Sequence, residues 1–216
     1  LLKSDSDVAA AKKLLEMHPD NKIYLARLAI ATMSSRSKVS DDELIALMKD
    51  CITKEPNNAF YNYMLADLLI DRGTEKKVSD RKSSETIYKI TNQADVDEGV
   101  RIFLEGTRKP YCKTYLQDIC MKKAAAFGQA KTFTKQIGRI AIVAGILLPN
   151  LASMRRLARF QTVYAEQLVE QGKTKEALAL LEAWLPYAEH VGRDEFTLIG
   201  MLVLGGVINT YHQAFP

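Results

Sequence analysis

Glu55-Pro-Asn-Asn-Ala-Phe-Tyr-Asn-Tyr-Met-Leu-Ala-Asp-Leu-Leu-Ile-Asp-Arg-Gly73 is the stretch from which the fold is read. Phe60, Met64, Leu65, Leu68 and Leu69 recur at the three- and four-residue spacing that puts side chains on one face of an α-helix. The run opens behind Pro56-Asn57-Asn58 and stops at Gly73, which are helix start and stop signals. An upstream copy exists. Pro19-Asp-Asn-Lys-Ile-Tyr24 with Leu28-Ala29 aligns without gaps on Pro56-Asn-Asn-Ala-Phe-Tyr61 with Leu65-Ala66, 37 residues later.

Helical spacing continues in both directions. Val8, Ala11, Leu14, Leu15 and Met17 mark a first helix, ended by His18-Pro19, and a second starts at Asn21. Ser40-Asp-Asp-Glu43 has capping-box spacing and opens a third helix with Leu44, Leu47, Met48 and Cys51 inward. Residues 74–94 lack an apolar stripe and are expected to be a flexible polar insertion, with at most a helical turn near Thr86–Ile90. Further helices are expected from Asp95 to Pro110, Tyr111 to Phe127 and Gln136 to Leu148. Pro149-Asn150 should reset the chain before a helix from Leu151 to Gln171 that Gly172 caps. A return helix from Thr174 to about Val191 should kink or end early at Pro186, and Phe196 to Tyr211 forms a last helix. No β-branched alternation long enough for a strand is evident, so the class is all-α with about ten helices.

The Leu65-Ala66 pair, with Gly73 seven residues beyond the small residue, resembles the tetratricopeptide repeat, a pair of antiparallel helices of about 34 residues. Leu28-Ala29, Gly99 with Phe103, and Ala165, Gly172, Ala177 and Leu181 fit the same frame. Asn62 and Gln161 stand where the family places an aromatic, and Trp184 where it places a small residue. The resemblance implies a right-handed solenoid of helical hairpins. Residues 1–73 form the N-terminal hairpins, 74–94 the insertion, and 95–216 further repeats with a hairpin at 151–191. It further implies a non-catalytic scaffold that binds a protein or peptide in a concave groove lined by the first helix of each hairpin. That groove would present Phe60, Tyr63, Asp67, Ile70 and Asp71 in one unit and Ile23, Ala26 and Ile30 in the other. Leu65, Ala66 and Leu69 would hold the repeats together.

Charge suggests a second reading. The net charge of +4 conceals a basic middle, residues 101–160, between acidic flanks. Lys122, Lys123, Lys131, Lys135, Arg139, Arg155 and Arg156 could form a patch for an anionic membrane surface or an acidic partner, beside an apolar C-terminal helix. Nucleic acid is disfavoured, because only Phe127 and Phe133 interleave with these cations. The uncharged runs, Ile140 to Met154 and Phe196 to Pro216, are shorter in apolar core than the ~20 residues a bilayer requires.

Catalysis finds little footing. His18, His190 and His212 are far apart, and no zinc-protease, nucleophile-elbow or phosphate-loop motif occurs. Cys51, Cys112 and Cys120 have no metal-ligand spacing and lean towards a reducing, cytoplasmic setting. No cofactor or metal is therefore expected. The chain opens on Leu1-Leu2 and not Met, which points to a processed or trimmed form whose anchor, if it has one, lies outside these residues.

Overall fold

The computed structural model describes residues 4–78, 86–119, 122, 133–193 and 205, with side chains for 7–75, 88–119, 122, 152–193 and 205. Its helices are α1 (Ser4–Met17), α2 (Lys22–Ser34), α3 (Asp41–Lys54), α4 (Ala59–Gly73), α5 (Gln93–Thr107), α6 (Phe133–Glu170), α7 (Thr174–Glu182) and α8 (Trp184–Arg193). The chain is mostly helical, as the periodicity predicts. A short 3-10 turn, Arg36–Lys38, links α2 to α3.

α4 is the axis. Ala59 through Ile70 are all buried, and α3, α5 and α6 pack around the helix. A helix covered on every side must be apolar all round, which is why its sequence reads so strongly. α5 lies close because it carries glycine at the crossing. A Cβ on Gly99 would sit 2.8 Å from Ile70 Cγ1 and 3.3 Å from the Ala66 carbonyl oxygen. Leu65, Ala66 and Leu69 are buried.

Local chemistry fixes the helix ends. Asn21 and Asn58, the equivalent residues of the two Pro-x-Asn copies, each cap a helix. Asn21 Oδ1 accepts from the Ile23 and Tyr24 amides at 3.1 and 3.3 Å, and Asn58 Oδ1 from the Phe60 amide at 3.1 Å. Ser40 and Glu43 form the predicted capping box. Gly172 has φ +75° and donates to the Val169 carbonyl, while Lys173 donates to that of Leu168, a Schellman ending that few residues other than glycine adopt.

Four expectations need correction. First, residues 74–94 hold an antiparallel hairpin, β1 (Thr74–Val78) with β2 (Thr86–Ile90), in register Thr74 to Ile90 and Val78 to Thr86. Thr86, Ile87, Tyr88 and Ile90 are strand-favouring residues hidden among charges. An isolated hairpin is marginal in water. Here Tyr88 packs edge-on against Phe160 of α6, and Gln167 donates to the Tyr88 carbonyl at 3.2 Å. Second, Tyr111 does not start a helix. Residues 111–115 are non-helical, Tyr111 bridges to Asn58, and among the described residues helix starts at 116, with 116–119 and 122 helical.

Third, Pro149 lies inside the continuous helix α6. A proline removes one backbone hydrogen bond, a cost that long helical flanks can absorb. Fourth, the return helix divides at Ala183, which leaves Pro186 in the first turn of α8, where amides lack intrahelical acceptors in any case. The expected final helix, Phe196–Tyr211, lies outside the described residues apart from Gly205, which is helical.

Candidate functional site

The residues expected to line an open groove are core residues. Phe60, Tyr63, Asp67 and Ile70 are buried, as are Ala26 and Ile30; Ile23 is half-buried against the core. An apolar stripe looks the same in sequence whether it faces a ligand or a neighbouring helix. Here α5 and α6 take that place. Tyr63 meets Phe103 and Tyr187, with ring centroids 5.6 and 4.8 Å away. Its hydroxyl lies 2.7 Å from His190 Nδ1 on α8. Burial lowers the His190 imidazole below its ordinary value, which favours the neutral ring and an O–H donated by Tyr63.

Asp67 is held by an arginine that the sequence reading had placed on a surface patch. Arg156 Nε donates to Asp67 Oδ1 at 2.5 Å, and its Nη2 donates to Oδ2. Burial raises the Asp67 carboxyl above the usual range while Arg156 and Ser153 pull it down; the two-pronged contact is that of an ionised pair. Burial also opposes the Arg156 charge, yet Asp67 and then Asp71 hold the guanidinium above its ordinary value. Asp71 is half-exposed and extends the chain of charges, 3.2 Å from Arg156 Nη1 and 2.8 Å from Arg36 Nη1. Arg36 continues it to Asp41.

The other basic-patch residues divide. Arg155 is exposed, and Lys122 is exposed with its ammonium 5.3 Å from the Tyr24 ring centroid. Lys123 and Lys131, and the side chains of Lys135 and Arg139, lie outside the described residues.

Sequence reasoning missed a buried carboxylate, Glu55, which is 1% exposed. Four donors converge on it. The hydroxyls of Tyr111 and Tyr115 reach Oε1 at 3.2 and 2.6 Å, while the Tyr61 hydroxyl and Asn58 Nδ2 reach Oε2, both at 3.2 Å. The Lys22 ammonium stands 3.8 Å from Oε1. Burial pushes the Tyr61 and Tyr115 hydroxyls well above the ordinary phenol range, so they remain donors. Glu55 directly before Pro56, with Asn58 and Tyr61 soon after it, was the available signal, but nothing local reveals that Tyr111 and Tyr115 return to it.

An open concavity of about 270 Å³ lies between α3, α4 and α5. Ile52, Leu65 and Ile102 give it apolar walls, and Lys49, Thr53, Glu98, Arg101 and Glu105 give it polar ones. Arg101 is pinned by Glu98 at 2.8 and 2.9 Å. Asn62 also lines the cleft although it is 1% exposed. Its Nδ2 donates to Glu105 Oε1 at 3.3 Å and to the Ile102 carbonyl at 3.5 Å, but its Oδ1 accepts from nothing among the described residues. A buried acceptor left unused is uncommon in folded proteins.

Among the described residues no group of three His, Cys, Asp or Glu is placed to hold a metal ion, and no helix is long and apolar enough to cross a membrane. Comparison with known proteins found no matching family model, curated protein or solved structure.

Proposed function

We propose that the protein is a non-catalytic, tetratricopeptide-like scaffold that binds a protein or peptide partner, and that the contact surface is the α3–α4–α5 cleft. Two features support the repeat reading. α2 and α4 are each capped by the Asn of a Pro-x-Asn copy, and each is followed by a helix that packs against it. Buried α4 cannot serve as the groove, so the contact moves to the cleft whose exposed rim is Lys49 and Thr53 of α3 and Arg101 and Glu105 of α5.

The observation that carries the assignment is the open α3–α4–α5 concavity, with Asn62 at its floor. The Asn62 amide is buried at the cleft with its nitrogen engaged and, among the described residues, its oxygen unused. A partner segment that lays an apolar side chain on half-buried Ile52 and polar groups against exposed Lys49, Thr53 and Glu105 would cover the cleft. Lys49 and Arg101 are balanced at the cleft by Glu98 and Glu105, which favours a segment of mixed charge.

Affinity capture tests this with wild type, Lys49→Glu and Thr53→Arg, each first shown to unfold at the wild-type urea midpoint. Loss of the captured partner in both variants is expected. Capture of the same partner at wild-type levels by both would rule out the cleft.

A further inference from the structure

We propose that β1 is a docking edge for a second copy of this chain: two β1 strands pair antiparallel about Lys76 and join two hairpins into one four-stranded sheet. The direction of the hairpin's backbone groups is the basis. In an antiparallel ladder, opposed residues alternate between those that bond each other and those whose N–H and C=O point outwards. Thr91 N donates to the Gly73 carbonyl at 2.9 Å, so Gly73 and Thr91 are a bonded pair one step beyond Thr74 and Ile90. The register then makes Glu75–Lys89 and Lys77–Ile87 the bonded pairs of the hairpin. Thr74, Lys76 and Val78 turn their backbone groups away from β2, and Tyr88 turns its own away from β1.

The two outer edges differ. That of β2 faces α6, where Gln167 Nε2 donates to the outward Tyr88 carbonyl at 3.2 Å. β1 has β2 on one side, and among the described residues no strand or helix pairs with its other edge. Such an edge is completed by another extended chain.

Charge selects the occupant. Lysines on an edge usually keep other strands off, and β1 carries Lys76 and Lys77. Glu75 makes one register the exception. A strand can bond the outer edge only through residues whose groups point outwards, so in a β1–β1 pair these are Thr74, Lys76 and Val78 of each copy. Centring the pair on Lys76 matches the whole strand, Thr74 with Val78 and Lys76 with itself. Glu75 then stands opposite Lys77 of the second copy at both intervening positions. Those positions are the closely spaced kind, with Cα atoms about 4.5 Å apart, while the like-charged Lys76 pair falls at the wider spacing of about 5.5 Å. The next registers on either side oppose Glu75 to Glu75 or Lys77 to Lys77. Glu75 is exposed and 3.9 Å from Lys89 across the hairpin, so in the dimer it stands between two lysines. The pairing is two-fold and uses the same strand of both copies, so it closes at two chains.

Sedimentation velocity on the full chain is the test. The edge is short, so dimerisation of wild type is expected in the range of about 10 µM to 1 mM. Lys76→Pro removes an outward N–H that the hairpin does not use, and should weaken the dimer about tenfold or more. Glu75→Lys and Lys77→Glu should each weaken it similarly, because each opposes like charges at both intervening positions. An equimolar mixture of Glu75→Lys with Lys77→Glu should dimerise again, since every such position then pairs opposite charges. A misfolded hairpin would not be rescued by mixing. Wild type that stays monomeric across this range would overturn the proposal, as would a mixture no more dimeric than its components. Binding of a poly-glutamate peptide by a chain that remains monomeric would also overturn it, giving the edge to an acidic partner.

Discussion

Arg156 of α6 closes on Asp67 at the middle of α4 across 89 residues of sequence, with two donors on two carboxylate oxygens. The pair joins the C-terminal hairpin to the central helix, and Asp67 is 1% exposed. Replacing Arg156 with Leu would leave a buried carboxylate unpaired. The expected loss is about 2–4 kcal/mol, at the low side because the arginine is one-third exposed. Adding Asp67→Leu should recover most of it, since an apolar pair removes both charges. Urea unfolding of the single and double variants measures the difference.

His190 makes stability depend on pH in a stated direction. Burial depresses its folded-state value, so the unfolded chain binds the proton first as pH falls below the ordinary histidine range of about 6.5. Stability should therefore be flat above that range and decline as pH drops towards the folded value. Tyr63 and the Lys109 backbone hold the ring from α4 and the end of α5, while Glu189 and Arg193 stand beside it on α8. His190→Gln should flatten the decline between pH 7 and 5. An unchanged slope would show that other groups carry it.

The two copies of the Pro-x-Asn start should differ in cost. Asn21→Ala removes a cap and is expected to destabilise by about 1 kcal/mol. Asn58→Ala removes a cap together with both bonds to the Lys113 peptide and the donor to Glu55, all buried or partly buried. Its cost should be about 2–4 kcal/mol. Equal midpoints in urea for the two variants would contradict this.

Cys51 should be chemically silent in the folded protein. It is fully buried, and burial pushes its thiol up to about 12, so almost no thiolate exists at neutral pH. Maleimide labelling followed by peptide mass spectrometry should find Cys51 unmodified until denaturant is added.

Much of the backbone was legible because its signals are local. Ser40 and Glu43 sit three apart, Gly172 follows a long amphipathic run, and Pro56-Asn57-Asn58 precedes a helix; each needs only its neighbours to be read. The β-hairpin was not legible, because Ile87, Tyr88 and Ile90 are few among charges and the residues that hold Tyr88, Phe160 and Gln167, lie on α6. The role of α4's side chains was not legible either. Phe60, Tyr63 and Ile70 announce that something covers them, but only tertiary structure tells whether it is a ligand or the chain itself. Asp67 was the clue: a lone acid amid buried aromatics called for a buried cation, and Arg156 was read instead as part of a surface charge run.

α4 presents no free face, and one continuous cluster of buried residues runs from Leu25 in α2 through α4 and α5 to Val191 in α8. The molecule is therefore not divisible at its hairpins. A fragment ending at Gly73 would expose the α4 side chains that Phe103, Arg156 and Tyr187 meet, and a fragment beginning at Gln93 would lack the helix those residues pack against. Work that dissects this protein by truncation would be measuring the loss of a shared interior. Point substitutions in the intact chain are the informative route.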